Sequence, residues 1–395
     1  MLAVPKRDLL PDILRSWALI GIVLVNVEVF SASKMGGYPH DTLSDPVNYS
    51  AYLLVAGLFT FKSFSLFSIM FGAGLGYQLA SAERAGVSAK PRYFRRTAGL
   101  FVIGALHAIF LFIGDILVTY AILGSLLYFC RNFSPKRLFW VGGILISVQA
   151  LFMLIAAAGF VIAETMAGYE WQKGLALQQE QYAIIDAVFE EDGFLSVAWM
   201  RLQMWPGMLG GVFFIQGVAV FGYFLIGLGL FRLGLISDVR HRLWKTSRYR
   251  LLPIGLAISF LGGWLFVSAP ERESAQAILG LAVMIIGSPF STLGYMGWLA
   301  AAASGEGPIL RFIARGGSAS LSAYLLQSIV LSLVFLEFGL GLFNQVSPFE
   351  AIMIALGAGI FSLMFTSVWL LFFKRGPFEI LLRRWTYLGQ KSPLG

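Results

Sequence analysis

The sequence predicts an all-α, polytopic integral membrane helical bundle of about ten transmembrane helices with both termini cytoplasmic. Three observations carry this expectation. Of 395 residues, 58% are hydrophobic and 13% charged, at a mean hydropathy of +0.77, against a soluble norm of about 45 to 50% apolar and 25% charged. Apolar runs of spanning length recur along the chain, and Lys and Arg concentrate in alternate connections between them.

The apolar runs lie near 13 to 33, 54 to 82, 97 to 113, 116 to 130, 138 to 163, 207 to 231, 251 to 269, 276 to 303, 319 to 341 and 350 to 373, each flanked by charges, Gly or Pro. Strands are excluded, because a lipid-embedded backbone must satisfy its own hydrogen bonds and these runs exceed a barrel strand of roughly 10 residues. The first run follows Lys6 and Arg7 as a signal peptide would, but Arg15 and Glu28 inside it argue for a retained helix. The second, from 51 to 82, is long enough to hide a bend around Lys62.

Sidedness follows from the basic residues. Arg15, Arg84 to Arg96, Arg131 to Arg137, Arg232 to Arg250, Arg311 with Arg315, and Lys374 to Lys391 fall on one side, and Lys34, Lys173, Arg201 and Arg272 on the other. The net charge of +8 and the pI near 9.6 therefore reflect topology and contact with the lipid bilayer rather than nucleic-acid binding. The chain divides into an N-terminal transmembrane half (1–163), an acidic extracytoplasmic linker with amphipathic helices (164–206), a C-terminal half (207–374) and a cytoplasmic tail (375–395). Self-association is left open, and no internal repeat is evident.

Cys130 is the sole cysteine, and His40, His107 and His241 are scattered without the short spacing of a zinc site. No metal and no tightly bound cofactor are expected. Chemistry should instead involve ionisable groups in the membrane, each costing several kcal/mol unless paired or wet. These are Arg15, Asn26 and Glu28 in the first run, Lys62 in the second, His107 in the third, and Asp115 with Tyr120 at the start of the fourth.

His107 and Asp115 are the sharpest pair, since the short turn between their helices makes them antiparallel neighbours. On an ideal rise of 1.5 Å per residue His107 would lie about 12 Å deeper than Asp115, too far for direct contact. Lys62 could neutralise Glu28 or Asp115, bind a substrate carboxylate or reach the interface. Gln149, Gln216, Gln327 and Ser328 read as interhelical packing groups. Gly72 and Gly76 form a small-residue face for close helix approach, and Glu379 with Arg383 a helix-spaced surface pair.

Several motifs together resemble the YeiB-like family of bacterial membrane proteins of unknown function. They are Asp12-Ile13-Leu14-Arg15-Ser16 with Gly21 to Asn26, Lys62 with Phe64 to Gly74, His107 with Gly114-Asp115-Ile116-Leu117 and Tyr120, Tyr324 to Ser328, and Gly376-Pro377-Phe378-Glu379 through Tyr387. Ser16, Ser318 and Ala323 depart from the usual Gly, Arg and Asn. The resemblance implies a multi-pass protein of the bacterial inner membrane, loosely grouped with transmembrane acyltransferases. It would take acyl-CoA from the cytosol as donor and an acceptor, an unidentified small molecule, from outside.

On that implication His107 is the base, Asp115 and Tyr120 its supports and Asn26 a polar stabiliser. Arg92, Arg95 and Arg96 would meet the donor's phosphates, and Arg15, Glu28, Lys62 and Gln327 would contact substrate. His40 is a second base candidate outside any motif. A proton-coupled transporter or channel, and a non-catalytic membrane assembly partner, stand as alternatives.

Overall fold

The structure is a computed structural model and describes residues 8–33, 37–38, 40–305 and 307–388. Lys6, Arg7, Lys34, Lys391 and the side chain of His40 lie outside the described residues. Sixteen α-helices follow one another among the described residues: α1 Leu9–Ser31, α2 His40–Leu43, α3 Pro46–Leu58, α4 Lys62–Arg84, α5 Ala89–Phe110, α6 Leu117–Leu127, α7 Pro135–Glu191, α8 Phe194–Val212, α9 Val218–Arg232, α10 Arg242–Thr246, α11 Leu252–Val267, α12 Ala275–Ala303, α13 Pro308–Ser318, α14 Ser320–Phe335, α15 Pro348–Phe372 and α16 Pro377–Thr386.

All ten apolar runs are helical, and the chain is an all-α polytopic membrane protein. Among the described residues, seven spans are long and apolar enough to cross a bilayer, and eight if α13 and α14, bent by 80°, count as one. The runs at 97 to 113 and 116 to 130 fall outside that number. They form the hairpin of α5, whose first turns carry Lys90, Arg92, Arg95 and Arg96, and the short α6. Trp140, Ile144, Val148, Leu151 and Ile155 are exposed along one stripe of α7 at helical spacing, as a lipid-facing surface requires.

α1 is the spine of the bundle. Leu10, Ile13, Leu14 and Ala18 join one apolar cluster, Leu19 and Ile22 a second, and Val23, Leu24, Val27 and Phe30 a third. Close approach elsewhere depends on glycine. A Cβ on Gly72 would lie 2.0 Å from the Phe224 carbonyl oxygen, and one on Gly227 2.0 Å from that of Ile69, so α4 and α9 meet backbone to backbone.

The long second run is broken, as its length suggested. Phe61, at φ 65°, separates α3 from α4 in the left-handed region, at a cost of about 1–2 kcal/mol for a residue with a Cβ. Carbonyls freed at a break inside lipid need other partners. Lys62 Nζ donates to the Ala56 carbonyl at 3.1 Å and the Tyr295 hydroxyl to that of Leu58 at 2.9 Å, while Ser65 and Ser288 donate to that of Phe61. Two of these donors, Ser288 and Tyr295, come from α12.

α7 continues past residue 163 and kinks at Gly168 (φ 36°) before running on to Glu191. Its distal part packs over the end of the bundle opposite the arginine-rich loops. Tyr182 donates to Glu273 at 2.9 Å and the Ala275 amide to Glu164 at 2.6 Å. Burial and the Glu273 carboxylate raise the Tyr182 phenol well above its ordinary range. Arg201 is buried and donates to the Phe110 carbonyl at 3.0 Å, a cation at the C-terminus of α5.

Candidate functional site

The site is built on the hairpin of α5 and α6. Helical geometry stops at Phe110, and the Leu111 and Phe112 amides both return to the His107 carbonyl, at 2.9 and 2.8 Å. The chain then reverses through Gly114, bringing Asp115 back to the depth of His107. The expectation of a 12 Å offset was wrong because it carried the helical rise through residues 111 to 115, which turn instead of climbing.

Asp115 Oδ2 lies 2.7 Å from His107 Nδ1, and Asp115 Oδ1 accepts the Val118 amide at 2.9 Å, an acceptor at the start of α6. On the other face of the imidazole, Nε2 lies 2.8 Å from Ser328 Oγ in α14. His107, Asp115 and Ser328 are all buried. An ionised Asp115 accepts from Nδ1–H, which leaves Nε2 as the acceptor for the Ser328 hydroxyl. Sequence reading treated Ser328 as a packing group. The signal for more was its place in the Tyr324-Leu325-Leu326-Gln327-Ser328 motif, but no local spacing connects it to a histidine 221 residues away.

Tyr324, one turn before Ser328, packs its ring 4.9 Å from that of His107, and its buried hydroxyl faces the Ile116 backbone and donates to no acceptor among the described residues. It borders two cavities. One, of about 270 Å³, is lined by Arg15, Arg96, Arg375, Gln78, Glu379, Tyr120 and Tyr324 among others. The other, of about 140 Å³, includes Asn26, Gln216, Thr60 and Ser63. A third cavity of about 160 Å³ adds Arg92, Arg383 and Tyr387, and shares Gln78, Arg96, Arg375 and Glu379 with the first. A cationic groove therefore runs from the arginine-rich end to Tyr324, behind whose ring His107 is packed.

The other expected site residues divide. Arg15, Arg96, Tyr120 and Asn26 line these cavities, and Arg92 lines the third with its guanidinium 5.0 Å from the Tyr387 ring. Tyr120 does not support His107. Its hydroxyl bonds Ser68 at 2.6 Å and the Phe64 carbonyl at 3.1 Å. Arg95 donates to the Leu388 carbonyl at 2.9 Å and clips α5 to the segment after α16. Gln327 reaches the Leu19 carbonyl at 3.4 Å, joining α14 to α1.

Lys62 and Glu28 belong elsewhere. Lys62 neutralises neither acid, because the break at Phe61 aims its amine at the Ala56 carbonyl, as a C-terminal cap for α3. Glu28 pairs instead with Arg272 from the loop before α12, and accepts the Tyr52 hydroxyl at 2.8 Å. Burial lowers the Arg272 guanidinium to about 10.

Glu379 is more than a surface partner of Arg383. Its carboxylate accepts the Leu321 amide at 2.8 Å, the Ser322 amide at 3.2 Å and the Ser322 hydroxyl. This is an anion on the N-terminus of α14, where the helix dipole favours one. The helix that presents Tyr324 and Ser328 is thus anchored by α16.

Residues 230–389 match the family described as a protein of unknown function (DUF418). The uncharacterized protein YxaH of Bacillus subtilis is 28% identical, over 95% of this chain and 93% of its own length. The uncharacterized protein YeiB of Escherichia coli is 26% identical, over 96% of each. No solved structure matches the chain.

Proposed function

This chain belongs to the YeiB-like family of membrane proteins of unknown function, and on that footing we propose that it is an acyltransferase of the bacterial inner membrane. The arginine-rich end faces the cytoplasm, as Lys and Arg bias directs. Acyl-CoA enters there with its phosphates on Arg15, Arg96 and Arg375, whose guanidinium groups suit phosphate oxygens. The acceptor comes from the opposite side, through the cavity that holds Asn26 and Gln216.

The observation that carries this reading is the meeting of two cavities at Tyr324, with His107 packed directly against that ring. A base at such a junction can take the acceptor's proton as the acceptor attacks the thioester carbonyl. Asp115 holds the imidazole in the tautomer that the step needs. A proton-coupled pathway is less well supported, because Glu28 and Lys62 are engaged with Arg272 and Ala56 and do not form a line with His107.

The test is binding and turnover of radiolabelled acyl-CoA by the purified protein, followed as release of free CoA, with His107→Ala alongside. Binding retained and turnover lost in the variant is the expected result. If the wild type neither binds nor cleaves the donor while proteoliposomes show proton-coupled flux, the transfer reading is overturned.

A further inference from the structure

Buried serines and threonines inside helices usually return their hydroxyl to a carbonyl one turn back. Ser291, Thr366 and Thr386 do so here, donating to Gly287, Ser362 and Leu382 at 3.0, 2.8 and 2.7 Å. Ser328 does not. Its hydroxyl is turned across the helix interface to His107 Nε2, while Nδ1 of the same ring meets Asp115. That order of atoms, hydroxyl to Nε2 and carboxylate to Nδ1, is the one that activates a serine nucleophile on unrelated folds. Asp115 is in turn fixed by the Val118 amide, so each member is oriented by the next.

We propose that Ser328 is a catalytic nucleophile that carries the acyl group as an ester between donor and acceptor. This rests on the transfer reading above and adds a covalent intermediate that direct attack by the acceptor does not need. In the first half-reaction Ser328 Oγ gives its proton to His107 Nε2 and attacks the thioester carbonyl. The C–S bond then breaks, the proton passes to the departing sulfur as a free thiol, and the acyl group stays on Oγ. In the second, a hydroxyl or amine of the acceptor gives its proton to Nε2 and attacks the ester. The bond to Ser328 Oγ breaks and Oγ recovers a proton from the imidazolium.

Tyr324 fits both halves. It lies one helical turn from Ser328 on the same face of α14, borders the cavity on either side, and has a buried hydroxyl whose proton goes to no acceptor among the described residues. Ser328 lines neither cavity; rotation of the Tyr324 side chain would open the way to it, and the Tyr324 hydroxyl would then donate to the carbonyl oxygen as negative charge develops there.

The test needs a readout independent of the donor, since loss of turnover in His107→Ala fits direct transfer equally well. The purified full-length protein is treated with a long-chain fluorophosphonate and mapped by peptide mass spectrometry. An adduct on Ser328 is expected in the wild type, absent from Ser328→Ala and His107→Ala. Acid quenching after a single turnover of acyl-CoA without acceptor should then recover one acyl ester on Ser328 per CoA released, and Ser328→Ala should lose turnover by about 10³-fold or more while melting as the wild type does. If Ser328→Ala turns over within about twofold of the wild type, or if neither adduct nor ester appears on Ser328, the nucleophile is overturned and transfer is direct. A fluorophosphonate adduct in a protein that ignores acyl-CoA sinks the donor assignment instead and leaves the nucleophile standing.

Discussion

Asp115 occupies the space that a side chain on Gly104 would fill. A Cβ there would lie 2.9 Å from Asp115 Oδ1 and 2.8 Å from the Val118 nitrogen, the two atoms whose hydrogen bond fixes the carboxylate. Gly104 stands one turn before His107 on α5, so the histidine and the gap that admits its partner are set on the same helix face.

Gly104→Ala should therefore act at the centre of the site. Overpacking of this kind costs about 1–3 kcal/mol, and thermal unfolding in detergent should show a lower midpoint. Gly143 on α7, with open space around it, is the control, and Gly143→Ala should leave the midpoint nearly unchanged. Equal midpoints for the two variants would contradict the tight fit at Gly104.

Removing the charge that caps α14 should loosen the helix carrying Tyr324 and Ser328. Glu379→Gln keeps the shape and forfeits the ionic interaction with the helix N-terminus, a loss of about 1 kcal/mol, and Glu379→Ala should cost more. Hydrogen exchange at Leu321 and Ser322 is the direct measure. Protection unchanged in both variants would rule out the cap.

Glu28 and Arg272 should couple in a double-mutant cycle. Either single change, Glu28→Gln or Arg272→Gln, leaves a partly buried charge without its partner. The pair together should be less damaging than the sum, with a coupling on the order of 1–3 kcal/mol. Strict additivity in unfolding experiments would mean that the pair contributes nothing.

Alkaline pH should weaken the same end of the molecule. Burial pushes the Tyr38 phenol up from 10.0 to about 12, opposed in smaller measure by the Ser31 hydroxyl, 2.8 Å away. Between those values the unfolded chain gives up the proton and the folded one keeps it, so stability present below pH 10 is lost as pH rises toward 12. Tyr38→Phe lacks this contribution, and its melting temperature should fall less steeply than that of the wild type over the window. Parallel slopes would dismiss Tyr38 as a source of the alkaline loss.

Much of the fold was legible because the bilayer imposes a length and a polarity on every span, and all ten apolar runs became helices. The unusual ionisable residues were legible too, since their cost in lipid makes them conspicuous. What failed were distances across turns and partners far along the chain. Asp115 was placed by a helical rise that stops at Phe110. Glu379 was matched to Arg383 alone, and its bonds to the amides of Leu321 and Ser322, 58 and 57 residues back along the chain, were not foreseen. Phe61 carries none of the Gly or Pro that marks a chain break, so the aim of Lys62 could not be foreseen. Ser328 was read by residue type alone, and its direction is fixed only once α5 and α14 meet.

On the transfer reading, the break at Phe61 bears on how substrates would get in. Interrupted spans in transporters often coordinate cargo with their free carbonyls and rock as they do so. Here the carbonyls of Ala56, Leu58 and Phe61 accept from Lys62, Tyr295, Ser65 and Ser288, so tilting this span away from α12 would have to break the bonds that Tyr295 and Ser288 make across the interface. The interruption behaves as a welded joint. It holds Thr60 and Ser63 against the cavity that Asn26 lines, and on the transfer reading it would leave admission of substrate to small side-chain swings rather than to rocking of half the bundle.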